Sequence, residues 1–283
     1  MKRILITGKS SYLANQFRSF LSGNENYQID LISVREGWKD SDFSSYDVVV
    51  HMAGLAHSSP KDDEKEKYYA INRDLAIEVA RKAKQDGCAQ FVFMSSVIVY
   101  GSHHTLITKD TPLCPDNFYG DSKKQAEEGI LVLQDENFCV SIVRPPMIYG
   151  PGSKGNYRLL SRFSCVTPFF PNVYNERSML YVDNFCACLK GMIDTGAGGI
   201  FLPQNKEIVS TVQLVKEIAK VHHHPLVVLK GLNPFISLLR KKSLFNKVFG
   251  SLVIDPVLSK FDFEYQIVPF ELSIENTERS TNE

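Results

Sequence analysis

Apolar residues cluster along the chain in short runs, and each run is followed by a longer segment in which they recur at helical spacing. The runs lie at 4–6, 28–34, 48–50, 91–93 and 138–143. The first intervening segment carries Leu13, Phe17 and Leu21, and a longer one spans 62–86. Short buried strands that alternate with amphipathic helices are typical of α/β proteins with a parallel sheet. The pattern therefore predicts an α/β fold with a Rossmann-type, doubly wound parallel sheet.

The turn after the first run contains one glycine, Gly8, and small residues follow it. In a dinucleotide-binding unit, the amides between the first strand and its helix receive the pyrophosphate of the cofactor. Ser11 and Ala14 occupy places where further glycines are expected, but small side chains still allow close approach of the backbone. A plain strand–turn–helix is the alternative, because such short motifs have low specificity. The pattern favours a dinucleotide site with contacts from Gly8, Ser10, Ser11, Tyr12 and Leu13.

The end of the second strand indicates which nicotinamide cofactor is used. An acidic residue there binds the ribose 2′-hydroxyl of NAD, whereas a nearby arginine accommodates the 2′-phosphate of NADP. This chain has Ser33, Val34 and Arg35 at that position, followed by Glu36. We therefore expect NADP(H), with Ser33 and Arg35 at the phosphate, and NAD(H) is the alternative. Arg35 could equally be an ordinary solvated arginine, since strand ends are placed only to within a few residues.

Small and polar residues follow the next two predicted strands, at 48–50 and 91–93. Ligands of open α/β sheets bind beyond the carboxyl ends of the strands. The candidates for such a crevice are Ala53, Gly54, Leu55, Ser95 and Ser96. Asn72 falls within the helical segment 62–86. Its amide can bond main chain towards a neighbouring strand, or it can face solvent, as most asparagines do.

Tyr119 and Lys123 are four residues apart in a segment of helical pattern. On a helix this spacing puts both side chains on one face, with about 6 Å between their Cβ atoms. An ammonium favours the charged form of a neighbouring phenol, so it lowers the phenol's pKa from about 10. The pair is a candidate proton donor, with Lys123 free to bind a second group such as a ribose hydroxyl. A solvated surface pair is the alternative, since long polar side chains are mostly exposed.

Composition narrows the class of protein. The chain has 283 residues, of which 43% are hydrophobic, which suits one large domain with a smaller lobe. Lys and Arg together number 32, and so do Asp and Glu. This balance argues against a general nucleic-acid or membrane-surface binder. The chain shows neither a signal segment nor a run long enough to span a membrane, so we expect a cytoplasmic protein.

Cysteine and histidine usage indicates neither a disulfide framework nor a metal site. The six cysteines form no Cys-x-x-Cys pair, and a chain of this length does not need disulfides to be stable. His222, His223 and His224 are adjacent. Consecutive side chains cannot converge on one ion, so no bound metal is expected.

The C-terminal part is predicted as a separate lobe. We assign 1–156 to the dinucleotide-binding domain, 157–270 to a substrate-binding lobe interleaved with the last strands of the sheet, and 271–283 to a polar, flexible tail. The segment 235–253 has a basic amphipathic pattern. Membrane-surface attachment is one interpretation of that pattern, and a lobe helix that covers the substrate site is the favoured one.

Taken together, the motifs resemble those of extended short-chain dehydrogenases/reductases, in the NAD-dependent epimerase/dehydratase group that acts on nucleotide sugars. They occur in the family's order and spacing between 3 and 200. They are Thr7-Gly8, His51-Met52-Ala53-Gly54, Asn72, Ser95-Ser96, Val99-Tyr100-Gly101, Tyr119-x-x-x-Lys123, Arg144-Pro145, Tyr149-Gly150-Pro151-Gly152, and Arg177 before Tyr181-Val182-Asp183. The stretches 144–150 and 155–160 are most similar to the 4-keto reductases of bacterial capsule and O-antigen loci.

The resemblance implies a role for each matching residue. Tyr119 would be the general acid/base, Lys123 would hold the nicotinamide ribose, and Ser96 would bond the reacting sugar oxygen. A Ser and Tyr donor pair can stabilise the alkoxide that forms when a ketone receives hydride, and proton delivery by a tuned acid contributes ~10²–10⁴-fold. The remaining implied roles are cofactor contacts at Ala53, Gly54, Leu55 and Asn72, and contacts to the substrate diphosphate at Asn156 and Arg177.

Departures from the family pattern narrow the expected reaction. Dehydratases carry an Asp-Glu pair after the catalytic serine or threonine, and Val97 and Ile98 stand there in this chain, so dehydration is not expected. Met147 replaces an asparagine of many epimerases. With Ser33 at the ribose end, we expect NAD(P)H-dependent reduction of the C4 ketone of a UDP-2-acetamido-2,6-dideoxy-hexos-4-ulose, for capsule or surface polysaccharide. The alternatives are a UDP-sugar 4-epimerase with tightly bound NAD and a non-catalytic dinucleotide-binding module, and the family suggests a homodimer.

Overall fold

The computed structural model describes residues 1–56, 62–230 and 249–279 of the chain. The chain forms two compact units, each built from separate segments. The first contains Met1–His103, Asp110–Pro145 and Cys186–Pro203, and the second contains His104–Lys109, Pro146–Phe185 and Gln204–Glu283. The units therefore differ from the predicted domains 1–156 and 157–270. The chain first enters the second unit at 104 and is back in the first by 110. It enters the second again at 146 and returns to the first at 186 to supply a further strand of the sheet.

Twelve strands lie in the described residues. They are β1 (Lys2–Thr7), β2 (Tyr27–Ile32), β3 (Val48–His51), β4 (Gln90–Met94), β5 (Leu106–Ile107), β6 (Cys139–Val143), β7 (Met147–Tyr149), β8 (Phe169–Pro171), β9 (Met179–Tyr181), β10 (Gly199–Phe201), β11 (Val227–Leu229) and β12 (Val253–Ile254). The helices of the same residues are α1 (Tyr12–Phe20), α2 (Lys65–Tyr68), α3 (Leu75–Gln85), α4 (Phe118–Leu131), α5 (Asn156–Val166), α6 (Val182–Thr195), α7 (Thr211–Val221) and α8 (Phe270–Arg279).

The first unit contains a six-stranded sheet in the order β2-β1-β3-β4-β6-β10. Every neighbouring pair in it is parallel. The chain adds β2 on one side of β1 and β3 on the other, so the strand order reverses there. Such a switch point leaves a crevice at the carboxyl ends of the strands, where open α/β sheets bind ligands. The predicted doubly wound parallel sheet is confirmed.

The core of the first unit lies where α3 and α4 cover one face of this sheet. The strands β3, β4 and β6 are buried almost throughout, which is why they appear in the sequence as continuous apolar runs. The helices contribute small and branched side chains from one face each. The cluster includes Ala76, Val79, Ala80, Ala83, Ala126 and Ile130 against Val49, Phe91, Phe93, Val140 and Ile142. Each large apolar side chain buried in this way contributes about 1.5–3 kcal/mol to stability.

The helix predicted at 62–86 is divided in the structure. A 3-10 turn at Asp62–Glu64 and the short α2 precede a π-helical segment at Tyr69–Asp74, and α3 follows it. π-Helical turns are rare, they widen a helix by one residue, and they frequently occur at functional sites. Here the widened turn contains Asn72, whose side chain is fully buried.

The second unit contains three pairs of parallel strands, β7–β9, β8–β11 and β5–β12. The sequence predicts a flexible tail from 271, but the structure has helix α8 there, with Phe270 and Ile274 buried. The buried carboxylate of Glu278 accepts hydrogen bonds from the hydroxyls of Tyr157 and Ser161 at 2.6 and 2.8 Å. Only a few apolar residues of α8 are buried, so its sequence is mostly polar and its apolar pattern was too weak to predict a helix.

Most of the segment predicted as basic and amphipathic, 235–253, lies outside the described residues, which resume at 249. Among the helices that the structure describes, none is both long and apolar enough to cross a bilayer. In the same part of the chain, no three His, Cys, Asp or Glu side chains are grouped to hold a metal ion. His222 instead lies 2.7 Å from the Glu278 carboxylate, and His224 lies 3.1 Å from the carbonyl oxygen of Thr167.

Candidate active site

The turn after β1 packs directly against the end of β3. Gly8 has φ of 88°, and a Cβ atom placed on it would lie 3.0 Å from the backbone nitrogen of Ala53. Both facts require glycine, because other residues rarely adopt this φ and have no room for a side chain. The turn leads through the exposed Ser10 into α1, whose first turn has no acidic side chain. The amides at the start of α1 and the positive end of its dipole therefore suit an anion.

Ser33 and Arg35 lie beside this turn, just after β2. The amides of Gly8 and Lys9 donate to the carbonyl oxygen of Ile32 at 3.0 and 3.3 Å, which ties the turn to the end of β2. Ser33 and Arg35 are exposed. Within the described residues, Arg35 has no carboxylate partner in an ion pair. The guanidinium can therefore turn towards a ligand at this edge of the sheet.

Gly54, Asn72 and Lys123 meet beyond the end of β3. A Cβ atom on Gly54 would lie 3.0 Å from Asn72 Oδ1 and 3.3 Å from Lys123 Nζ. Asn72 Oδ1 accepts a hydrogen bond from the amide of Leu55 at 2.8 Å, and Nδ2 donates to the Leu55 carbonyl at 3.1 Å and to Ser122 Oγ at 3.3 Å. Of the two possibilities that the sequence left open for Asn72, the bond to main chain is the one present, and the solvent-facing one is wrong. This amide fixes the loop after β3 against α4.

Lys123 is buried at the end of β4, with 5% of its surface exposed. Its ammonium donates to the carbonyl oxygen of Met94 at 2.7 Å and lies 4.6 Å from the centre of the Phe93 ring. Burial lowers the pKa of Lys123 to about 8, and the charge of Glu127, one helical turn further on, acts in the opposite direction. Lys123 is therefore charged at neutral pH, close to the pH at which it loses its proton.

Tyr119 lies beside Ser96. Burial raises the pKa of the Tyr119 phenol to about 12, and the neighbouring Ser96 side chain lowers it by a smaller amount. The sequence predicts a pKa lowered by Lys123, and this prediction is wrong for the structure. The Lys123 ammonium is directed at the Met94 carbonyl, and exclusion of water from the phenol has the larger effect. Tyr119 therefore carries its proton at neutral pH.

Close packing at the start of α4 brings Ser96 and Tyr119 together. Ser96 begins a 3-10 turn at Val97–Tyr100, and its Oγ accepts a hydrogen bond from the amide of Ile98 at 3.3 Å. The α4 helix is capped by Asn117, whose Oδ1 accepts from the amide of Gly120 at 2.9 Å. A Cβ atom on Gly120 would lie 2.8 Å from the carbonyl oxygen of Ile98. Glycine at this position allows the first turn of α4 to approach the Ser96 segment.

Behind these residues lies a buried ion pair that the sequence analysis did not identify. Arg144 Nη2 lies 2.5 Å from Glu127 Oε2, and Arg144 Nε lies 3.1 Å from both oxygens of that carboxylate. Glu127 also accepts a hydrogen bond from the hydroxyl of Ser95. The signal for Glu127 was its place four residues after Lys123, on the same face of α4.

The two residues predicted to contact the substrate diphosphate lie in the second unit. Asn156 is the first residue of α5, and its side chain makes no hydrogen bond within the described part of the chain. Arg177 is partly buried, which lowers its pKa, and its Nη1 donates to the carbonyl oxygen of Gly250 at 3.1 Å. Among the described residues, no carboxylate pairs with Arg177, and no hydrogen bond joins it to Asn156. A partly buried guanidinium without a counter-ion is suited to an anionic ligand.

Comparison with known families decides the relationship. The profile of the NAD dependent epimerase/dehydratase family matches residues 4–201. The chain belongs to this family. Membership, together with the glycine turn at Gly8 and the space at Gly54, fits a NAD or NADP cofactor. The family predicted from the motifs is thus confirmed.

Relatives and solved structures agree with this assignment. UDP-glucose 4-epimerase of Vibrio cholerae is 28% identical over 291 aligned positions, which cover 90% of this chain and 87% of the relative. The UDP-glucuronic acid 4-epimerase of Bacillus cereus is 17% identical, with a TM-score of 0.76 over 99% of this chain and 96% of that one. A dTDP-4-dehydrorhamnose reductase of Clostridium acetobutylicum also has 17% identity and a TM-score of 0.76, over 99% of this chain and 98% of its own. At such identities the two structures show a shared fold.

Proposed function

We propose that this protein is an NAD(P)-dependent 4-epimerase of a UDP-sugar. The observation that carries the proposal is the Ser96–Tyr119 pair beside the buried Lys123 at the carboxyl edge of the sheet. Interconversion of an alcohol and a ketone needs one group that gives and takes a proton at a single oxygen, and this pair can serve that oxygen. The relative that aligns over 87% of its length is a 4-epimerase, which supports epimerisation over the reduction favoured by the ribose-end residues.

Successive groups of residues along the carboxyl edge of the sheet would bind the pyrophosphate, the adenosine ribose and the nicotinamide end of the cofactor. The amides from Gly8 to Leu13 would bind the pyrophosphate, and Ser33 and Arg35 would lie at the adenosine ribose. A nicotinamide dinucleotide, when bound, supplies the acceptor and donor of hydride. The residues nearest its reactive end would be Ala53, Gly54, Leu55, Asn72 and Lys123.

Tyr119 would move the proton. Because burial raises its pKa to about 12, Tyr119 is protonated at neutral pH and can donate to the C4 oxygen of a ketone as that carbon is reduced. Ser96 Oγ would donate a hydrogen bond to the same oxygen and stabilise its developing negative charge. In the reverse direction the phenolate of Tyr119 would take the proton back, and the positive charge of Lys123 would reduce the cost of that phenolate.

Asn156 and Arg177 are proposed to bind the diphosphate of the nucleotide sugar. A guanidinium can donate two parallel hydrogen bonds to a phosphate. Arg177 has no carboxylate among the described residues to compete with such a ligand, and the Asn156 amide has no protein partner in the same part of the chain.

A second candidate function is the reduction of a UDP-2-acetamido-2,6-dideoxy-hexos-4-ulose by NADPH. The exposed Ser33 and Arg35 after β2 favour it, because Ser33 stands at the strand end where an acidic side chain would select NAD. An epimerase returns the hydride that it removes, so it needs no added reductant. A reductase consumes one reduced cofactor for each ketone.

The experiment that separates the two functions uses the purified full chain. Released nucleotide is identified by mass, and UDP-sugars are offered without added cofactor, while 4-keto sugars are offered with NADH or NADPH. An epimerase interconverts UDP-sugars through bound NAD, whereas a reductase oxidises NADPH in proportion to product. Tyr119→Phe should lower either activity by ~10²–10⁴-fold with cofactor binding preserved, and Tyr27→Phe, at an exposed hydrogen bond to Asp194, should not. Conversion of no sugar under either regime would contradict both functions.

A further inference from the structure

A buried ion pair joins the segments that carry the proposed catalytic residues. Glu127 and Arg144 expose 2% and 5% of their side chains, and the guanidinium binds both carboxylate oxygens. An ion pair this deeply buried contributes little net stability, because removing both charges from water costs about as much as their attraction returns. We therefore look for the role of this ion pair in the segments that it connects.

Four segments meet at this pair. Glu127 lies on α4, one turn after Lys123, and Arg144 follows β6. Ser95, which donates to Glu127, is covalently joined to Ser96 at the end of β4. Arg144 Nη1 donates to the phenol of Tyr100 at 2.8 Å, in the 3-10 turn that Ser96 begins.

Main-chain bonds reinforce the same junction. The amide of Ser95 donates to the carbonyl oxygen of Val143 at 2.8 Å, and the amide of Val97 donates to that of Pro145 at 3.2 Å. Ser96 thus lies between two residues whose backbones are fixed to the strand end that carries Arg144. Displacement of the ion pair would move the Ser96 hydroxyl and the Lys123 ammonium relative to each other.

Glu127 also places a negative charge one turn of α4 after Lys123, where it favours the charged form of that amine. The titratable groups around Lys123 come from three elements: Glu127 and Tyr119 on α4, His51 at the end of β3, and Arg144 behind Glu127. Burial and the charge of Lys123 lower the pKa of His51 to about 3, so His51 is neutral. Tyr119 is protonated at neutral pH. Among the described residues, Glu127 is thus the anion that acts on Lys123.

We propose that the Glu127–Arg144 pair positions Ser96 and Lys123 for proton transfer at the sugar oxygen, and that Glu127 provides the counter-charge of Lys123. The proposal rests on the function given above. Both residues are positioning residues, because they act through Ser96 and Lys123 and reach no reacting atom themselves.

The test compares three variants in the full-length protein with its cofactor. Glu127→Gln removes the counter-charge, and Glu127→Gln/Arg144→Met removes both charges so that neither is left buried alone. Glu128→Gln, at the next position with 61% of its side chain exposed, is the matched control. The measurements are kcat and KM across pH 6 to 10, and the titration midpoint of Lys123 by NMR of ¹³Cε-labelled lysine, with the resonance assigned from Lys123→Met.

We expect kcat to fall ~10–10²-fold in both Glu127 variants, with KM little changed, because catalysis is sensitive to misplacement of about 1 Å. Loss of the negative charge disfavours the ammonium, so the Lys123 midpoint and the basic limb of activity should move to lower pH in Glu127→Gln. The shift should be smaller in the double variant, which also loses the positive charge of Arg144. Glu128→Gln should leave all these quantities unchanged. The Lys123 titration needs no turnover, so it tests the counter-charge even if no sugar is converted, in which case the proposed function fails independently.

Two outcomes would overturn the proposal. In the first, the double variant folds and keeps the wild-type kcat, pH profile and Lys123 midpoint, which would make the pair a packing feature. In the second, the double variant does not fold although neither charge is left unpaired, which would make the pair a requirement for folding. Two single variants, Arg144→Lys and Arg144→Met, extend the test. Values of kcat and of the Lys123 midpoint closer to wild type in Arg144→Lys than in Arg144→Met would support the proposal further.

Discussion

Replacement of Lys123 by methionine should stabilise the protein and abolish its activity. The pKa of this buried amine is lowered from 10.5 to about 8, so folding at pH 7 forces a charge into a site that disfavours it. A tenfold change in proton affinity is worth about 1.4 kcal/mol, which makes the cost of the charged amine ~3 kcal/mol. Methionine has a similar length and no charge. Loss of the hydrogen bond to Met94 offsets ~1 kcal/mol, so we expect a gain of ~2 kcal/mol in the free energy of unfolding at pH 7.

The pH dependence of this gain has a definite sign. Between about 8 and 10.5 the unfolded chain binds a proton at Lys123 that the folded protein has released, so wild-type stability rises with pH across this window. The advantage of Lys123→Met is therefore full below pH 8 and disappears as the pH approaches 10.5. Above that value the lysine is neutral in both states.

Urea unfolding followed by tryptophan fluorescence measures this difference. Trp38 is the only tryptophan in the chain, and it is 5% exposed in the core of the unit that contains Lys123. Lys124→Met, at a neighbouring position with 31% of its side chain exposed, is the control and should change little. A Lys123→Met variant that is less stable than wild type at pH 7, or whose gain is equal at pH 7 and pH 10, would refute the reasoning.

Two further changes test the site and the C-terminal helix. Gly54→Ala should cost ~1–3 kcal/mol in stability and lower kcat by up to ~10²-fold, because its Cβ would lie 3.0 Å from Asn72 Oδ1 and 3.3 Å from Lys123 Nζ; unchanged kinetics would show that the crevice has more room there than these distances indicate. Ile274→Ala, at a fully buried position of α8, should cost ~2–5 kcal/mol by calorimetry, whereas Leu272→Ala, 44% exposed on the same helix, should cost less than ~0.5 kcal/mol; equal effects would mean that α8 is not docked through Ile274.

The sheet and the edge that carries the candidate site were predictable from local pattern. Runs of apolar residues with helical segments between them are typical of a parallel sheet, and parallel strands put all their carboxyl ends at one edge. Gly8, Ala53 and Ser96 each follow such a run, so their convergence needed no knowledge of the folded chain. The Tyr119–Lys123 spacing placed both on one face of α4 for the same local reason.

Electrostatics within that site depended on tertiary structure. Proximity to Lys123 suggested a lowered pKa for Tyr119, but the structure raises it to about 12, because water is excluded by residues that are distant in sequence. The direction of the Lys123 ammonium depends on the Met94 carbonyl, 29 residues earlier in the chain. Periodicity records which face of a helix is apolar, and it does not record how completely a charged group on that face is removed from water.

Long-range partners of polar residues were likewise decided only by folding. Asn72 appeared in the sequence as one polar residue in a helix, and the structure buries it in a π-helical turn bonded to Leu55. The sequence alone determined the fold class, the family and the edge of the sheet where the site lies, because these follow from periodicity and spacing along the chain. Tertiary structure decided which charges are buried, what neutralises them and that 270–279 is a docked helix, because desolvation and pairing are set by neighbours that only folding brings together.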